Sequence, residues 1–197
     1  MASAKATHAE LEIRSFSSLR TWETWISKNH ANSQGLWLKL AKKSSRTRSV
    51  SYQEALAAAL CYGWIDGQKR SHDEECWLQR FGPRGTRSIW SKINRPKAEE
   101  LIRQGRMKPP GLAAIETARQ NGRWDNAYDS QKSAEIPKDL LEELNRKPKA
   151  RTFFNALDSR NRYAILFRIH GAKKPETRKK RIEKFVGMLE RQEKLYP

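Results

Sequence analysis

The chain is short of cysteine, with two residues, Cys61 and Cys76, in 197. That excludes a disulfide scaffold and gives no argument for an oxidising compartment. Histidine is as sparse. His8, His30, His72 and His170 stand apart, and neither C-x-x-C nor H-x-x-x-H occurs, so the ligand set of a structural zinc site is missing and no metal is expected. The acidic run Asp73, Glu74, Glu75 beside His72 reads as a solvated hairpin connection. No run approaches the roughly 20 apolar residues that span a bilayer. The stretch MASAKATHAELEIRSF lacks the apolar centre of a signal peptide. The expectation is a soluble, cytoplasmic protein without a transmembrane segment. The nucleotide fingerprints G-x-x-x-x-G-K-[ST] and G-x-G-x-x-G are absent, as is the G-x-S-x-G nucleophile elbow, so no cofactor is implied. Cys61, inside an apolar helical pattern, reads as an inert thiol.

Positive charge and tryptophan are abundant. Forty Lys and Arg face 22 Asp and Glu, a formal net charge of +18, which attracts polyanions and repels further copies of the chain. The excess peaks in residues 151–197, with 13 basic residues against 5 acidic. Seven tryptophans and 37% apolar residues place the chain among folded proteins, long enough to bury a substantial core.

The pattern predicts an α+β body over residues 10–129, with a small antiparallel sheet packed with helices, and an all-helical C-terminal unit over 137–197. Residues 1–9 read as a tail. LEIRSF alternates like a strand. Ser17 or Ser18 then caps a helix through LRTWETWISKNH, with Leu19, Trp22 and Ile26 on one face. In GLWLKLAKK, Leu36, Leu38 and Leu40 share one face, and Trp37 and Lys39 share the other. Ser51 and Glu54 form a capping box for SYQEALAAALCY. WIDGQKR and CWLQRF read as paired strands. A short helix is expected from Ser88, then KAEELIRQ after Pro96 and the helix of PPGLAAIETARQNG. Residues 122–137 read as a linker. Four helices follow. The last, PETRKKRIEKFVGMLERQE, sets Ile182, Phe185, Val186 and Leu189 at helical spacing, with Lys179, Lys180 and Lys184 around its polar side. That helix is expected to dock on its own protein through the apolar face, the alternative being a basic helix lying on phosphates or anionic lipid heads.

Two stretches carry candidate chemistry. RFGPRGTRSIWSKINR, residues 80–95, gathers Arg80, Arg84, Arg87, Lys92 and Arg95 about Trp90. With a helix beginning at Ser88, guanidinium forks and free amide groups together favour phosphate, sulfate or carboxylate. GWIDGQ sets Asp66 beside Trp64, where a walled carboxylate can serve as a general base; a tight Asp-Gly turn or an ion pair with arginine is the plainer reading. The candidate ligand-binding residues are Trp64, Asp66, Gln68, Arg80, Arg84, Arg87, Ser88 and Trp90.

CYGWIDGQ at 61–68, RFGPRGTRSIWSKIN at 80–94, GRM-x-P-x-G at 105–111, GRWDNAYD at 122–129 and NRYAILFRIHGAKKPETRKKRIEKFVGMLERQEKLYP at 161–197 resemble the bacterial YdeI/OmpD-associated family, the bacteriocin-protection or OmdA-like proteins. Gly82 stands where that family's pattern has Thr, and the N-terminal tail lies outside it. The resemblance implies a role in tolerance of antimicrobial peptides and association with an outer-membrane porin, an envelope protein. It carries over no catalytic residue.

Three readings follow. The first is a non-enzymatic stress-protection binding protein whose anion site holds a phosphorylated metabolite, a nucleic acid or an acidic protein surface. The second is an enzyme with Asp66 as base, Arg80 and Arg84 as anion clamps and Trp64 and Trp90 as walls, which requires these groups to converge on one pocket. The third is a nucleic-acid-binding protein, which requires a basic stripe with exposed aromatic rings.

Overall fold

The structure, a computed structural model, describes residues 11–131 and 133–197; the tail expected over 1–9, with His8, lies outside them. The fold is α+β, with the sheet in the N-terminal part and helices alone in the C-terminal part. The chain divides into two compact units. The first runs to Trp90 and resumes over Asn94–Asn126; the second joins Ser91–Ile93 to Ala127–Pro197.

The first unit holds β1 (Ile13–Ser15), α1 (Leu19–Asn29), β2 (Leu36–Ala41), α2 (Tyr52–Cys61), β3 (Trp64–Ser71), β4 (Cys76–Pro83), α3 (Asn94–Arg103) and α4 (Pro109–Gln120). The strands form one sheet in the order β1-β2-β4-β3. Two pairings are antiparallel, but β1 runs parallel to β2. The sheet is therefore mixed rather than wholly antiparallel, because α1 carries the chain back between β1 and β2, as a parallel pair requires.

Local chemistry explains the helix starts. Ser18 caps α1 in a reciprocal capping box with Thr21, and Ser51 caps α2 in the same way with Glu54, so the free amide groups of both first turns are satisfied. Trp22 and Ile26, one turn apart on α1, are fully buried. They meet the sheet face made by Leu36, Leu38, Leu40 and Phe81, all at most 1% exposed; Trp22 and Phe81 lie 5.8 Å apart between ring centroids. Each such side chain contributes roughly 1.5–3 kcal/mol. The alanines of α2 permit close packing, and Gly111 of α4 uses it. A Cβ there would collide with the Cys61 carbonyl oxygen and the Met107 sulfur.

No helix begins at Ser88. The Ser88 amide donates to the Gly85 carbonyl at 2.9 Å, closing a turn. The chain then stays non-helical through Trp90 until α3 starts at Asn94. Pro83, Gly85 and the crowded arginines give this stretch turns instead of a helical first turn.

The second unit holds α5 (Lys138–Arg146), α6 (Pro148–Ala156), α7 (Ser159–His170) and α8 (Pro175–Glu190). Leu140, Leu144, Phe154, Ile165, Ile169, Ile182, Phe185, Val186 and Leu189 form its core. The basic helix α8 thus docks by its apolar face and leaves Lys179, Lys180 and Lys184 exposed. Asp139 on α5 grips Arg178 on α8 with both carboxylate oxygens, one bond measuring 2.9 Å, and Arg178 also donates to the Ile169 carbonyl. Buried Asn161 is a hub. Its side chain accepts from the Leu195 and Tyr196 amides and donates to the Tyr196 carbonyl and to Asp158, tying down the C-terminal segment.

Candidate functional site

The eight residues singled out in the sequence do not form one site. Trp64 is a core residue, 1% exposed. Its indole N–H donates to the His30 carbonyl at 3.1 Å, and its ring stands edge-on to Trp25. Asp66 pairs in register with Phe81 on the helix-covered face, and Tyr52 Oη donates to its carboxylate at 2.8 Å. Arg80 lies on the opposite face of the sheet, because it precedes Phe81 by one residue. Arg84, Ser88 and Trp90 do meet. They line a recess of about 150 Å³ with Gly85, Thr86, Ala114, Thr117, Ala118 and Asn121. Arg87 is exposed and is not part of that lining.

Within the recess, the Arg84 guanidinium carbon sits over the Trp90 ring, 3.6 Å from its centroid. Trp90 in turn stands edge-on to Trp124 at 4.8 Å, and Arg95 and Arg119 approach the far ring at 5.2 and 5.3 Å. All three Arg84 guanidinium nitrogens are enclosed. This is a packed cation–aromatic stack rather than an open fork. Without a helix at Ser88 it also lacks the amide groups and dipole that the sequence reading invoked. The convergence of Asp66 with Arg80 and Arg84 that a general-base enzyme needs is absent from this geometry, and Asp66 borders none of the four cavities described for the chain.

Three cations, Lys39, Arg70 and Arg80, share the face of the sheet opposite Leu36, Leu38 and Leu40. Register sets Trp37 directly opposite Arg80 and beside Ile13, and it aligns Lys39, Leu78 and Arg70 in the next row. Arg70 reaches back across β4, its guanidinium carbon 4.3 Å from the Trp37 ring centroid. Arg80 Nη1 lies 3.4 Å from Gln68 Oε1, the two linked at the long end of hydrogen bonding. Buried Gln79 makes this possible. Its side-chain amide donates to the carbonyls of Gly67 and Gln68, bracing the irregularity between Asp66 and Lys69 that swings Gln68 toward Arg80. Leu78 is 1% exposed and lies between Lys39 and Arg70 in register. Trp37, Lys39 and Arg80 are half-buried, Gln68 and Arg70 are exposed, and Ile13 is 44% exposed.

Charge on this face is one-sided. Lys39 pairs with Asp73 at 2.8 Å; that hydrogen bond lifts the Lys39 ammonium above its ordinary range and holds the Asp73 carboxyl below its own. Asp73 also caps the β3–β4 turn through the Glu75 and Cys76 amides. The acidic run is therefore a turn with a surface ion pair. The Arg70 guanidinium lies over the Trp37 indole, and Arg80 stands opposite that tryptophan in register with its guanidinium at Gln68. A planar ring replacing Arg70 on Trp37, with a negative group between the guanidinium forks, would keep every polar group engaged.

Sequence reasoning named Arg80 and Gln68 but missed Arg70 and did not connect them to Trp37. The signal lay in GLWLKLAKK, where a tryptophan and a lysine share the face opposite Leu36, Leu38 and Leu40.

A family model described as Domain of unknown function (DUF8412) matches residues 14–114, and one described as Bacteriocin-protection, YdeI or OmpD-Associated matches residues 133–192. The second match agrees with the family resemblance read in the sequence. The segments at 61–68, 80–94 and 105–111 fall in the first match instead. No curated protein and no solved structure was found to match the chain.

Proposed function

Over about half its length, residues 14–114, the chain belongs to the family described as Domain of unknown function (DUF8412), and from that premise we propose a non-enzymatic binding protein whose sheet face receives an anionic ligand with a planar ring. The Bacteriocin-protection, YdeI or OmpD-Associated segment at 133–192 supports a protective role of the bacteriocin-protection type for the whole chain. The ligand chemistry is a phosphate beside a nucleobase, as a free nucleotide or as a single strand.

One observation carries this reading. Trp37 has Arg80 opposite it in register and the Arg70 guanidinium on its ring, on the face of the sheet opposite Leu36, Leu38 and Leu40. A base stacks on the indole at the expense of the Arg70 contact, and the released guanidinium joins Arg80 at the phosphate. Phosphate attraction draws on the +18 charge of the chain. The enclosed Arg84 stack serves the unit's packing.

The experiment is a titration at low salt with adenosine monophosphate, inorganic phosphate and an oligothymidylate, followed by tryptophan fluorescence and calorimetry. The oligonucleotide is expected to bind, to weaken as salt rises, and to lose about tenfold in affinity in Trp37→Ala, within the roughly 1–3 kcal/mol of one base stack. Binding of the mononucleotide at equal strength would identify a nucleotide site rather than a strand site. Absence of binding by all three, or equal binding by Trp37→Ala and Arg80→Ala, would overturn the reading.

A further inference from the structure

The second unit contains a cavity of about 250 Å³ that the sheet-face reading leaves unused. Three aromatic rings build it. Tyr163 and Phe167 stand one turn apart on α7, with ring centroids at 5.9 Å. Tyr128 meets Phe167 edge-on, at 5.1 Å and an interplanar angle of 89°. The rings therefore form a corner and do not stack into one block. Phe167 is 37% exposed, high for a phenylalanine that borders a cavity.

The frame around the rings is fixed. Lys92 donates its backbone amide to the Tyr128 carbonyl at 2.9 Å, and Ser91 bridges to Tyr128. Tyr163 Oη donates to the Asp129 carbonyl at 2.9 Å. Burial, with smaller contributions from Tyr128 and Asp129, pushes the Tyr163 phenol up to about 12, so that ring stays neutral.

The ionisable side chains in the lining besides the tyrosines are Lys92, Asp129, Glu135 and His170. Lys92 Nζ is held by both Asp129 oxygens, at 2.9 and 3.0 Å, which leaves it engaged and poorly placed to recruit an anion. Exposed Glu135 adds a second carboxylate to the same lining. Ring faces are electron-rich, and carboxylates at the edge of a set of such faces favour a cation over an anion or a neutral guest. From this geometry we infer that the cavity binds an organic ammonium group, its alkyl substituents against Tyr128, Tyr163 and Phe167 and its charge toward Glu135, the lining carboxylate that Lys92 does not hold. The guest is a free alkylamine or the ammonium of a peptide side chain.

This site and the sheet face have opposite charge preference, so they can fail separately. The intact chain is titrated with tetramethylammonium, with tert-butanol as the neutral counterpart of similar size, and with a short capped peptide carrying one trimethyllysine, monitored by the ring proton resonances of Tyr128, Tyr163 and Phe167. Tetramethylammonium is expected to shift all three rings saturably and tert-butanol to leave them unmoved. Phe167→Ala is expected to weaken binding about tenfold and Glu135→Gln several-fold, while Trp37→Ala leaves it unchanged. Raising salt is expected to weaken ammonium binding far less than oligonucleotide binding, because the +18 background opposes the cation at long range. Tighter binding of the peptide than of tetramethylammonium identifies a side-chain guest, and the reverse a free amine. Equal response to tert-butanol, or affinity unchanged in both Phe167→Ala and Glu135→Gln, overturns the inference.

Discussion

Trp37 and Trp90 are both tryptophans beside arginine, and their surroundings give them different work. Trp90 is 2% exposed, and its Arg84 partner has every guanidinium nitrogen enclosed. Trp37 is half-buried, and its Arg70 partner is exposed. The first pair is cemented into the unit; the second can exchange its cation for another planar group. Arg84→Ala is accordingly expected to lower stability by about 1–2 kcal/mol, through lost cation–aromatic contact and lost packing of the stem, in urea unfolding. Oligonucleotide affinity should stay within twofold of the parent. A collapse of affinity with stability intact would move the binding site to the recess at Trp90.

At the scale of elements, close approach and paired charge set the sensitivities. Gly111→Ala places a Cβ against backbone oxygens of α2 and the Met107 sulfur, and an expected loss of about 1–3 kcal/mol follows from forcing α4 off α2; the thermal midpoint reads it. The Asp139–Arg178 tie between α5 and α8 gives a pH signature. Hydrogen bonding to Arg178 holds the Asp139 carboxyl below its ordinary value, so its stabilisation is present above the unfolded value near 3.9 and is lost as pH falls through the folded one. Asp139→Asn should cost roughly 1 kcal/mol at pH 7, since the pair is partly exposed, and the gap between parent and variant should close from about pH 5 downward. A gap independent of pH would assign the cost to packing.

Most of this element structure was legible in the chain. The Ser51–Glu54 box, the alternation of Leu36, Leu38 and Leu40, and the spacing of Ile182, Phe185 and Leu189 are local signals, and each element formed as read. The helix expected at Ser88 did not form: the Ser88 backbone amide closes a turn on the Gly85 carbonyl, a bond that does not depend on the serine side chain. The direction of β1 was hidden because pairing depends on where α1 returns the chain. The candidate site was least legible. Trp37, Arg70 and Arg80 come from three strands, and only register sets them side by side. Density of arginine along the chain pointed to 80–95, yet strand alternation sends Arg80 and Phe81 to opposite faces.

For the molecule as a whole, the formal charge of +18 sets the range of attraction but not its target. Specificity has to come from the few cations that flank a ring. If Arg70 and Arg80 neutralise about two phosphates of a single strand, log affinity should fall with log salt at a slope near −1.4, and Arg80→Ala should reduce that slope by about 0.7. A slope much steeper and insensitive to Arg80 would mean that the charge excess binds nucleic acid diffusely. All seven tryptophans lie between Trp22 and Trp124, which gives the most direct measurement. Indole N–H resonances, with Trp37 assigned by Trp37→Phe, are followed while an oligothymidylate is added at low salt. The Trp37 resonance is expected to move first and furthest, saturably, with Trp90 nearly still. Movement centred on Trp90, or no indole movement while the strand binds, would contradict it.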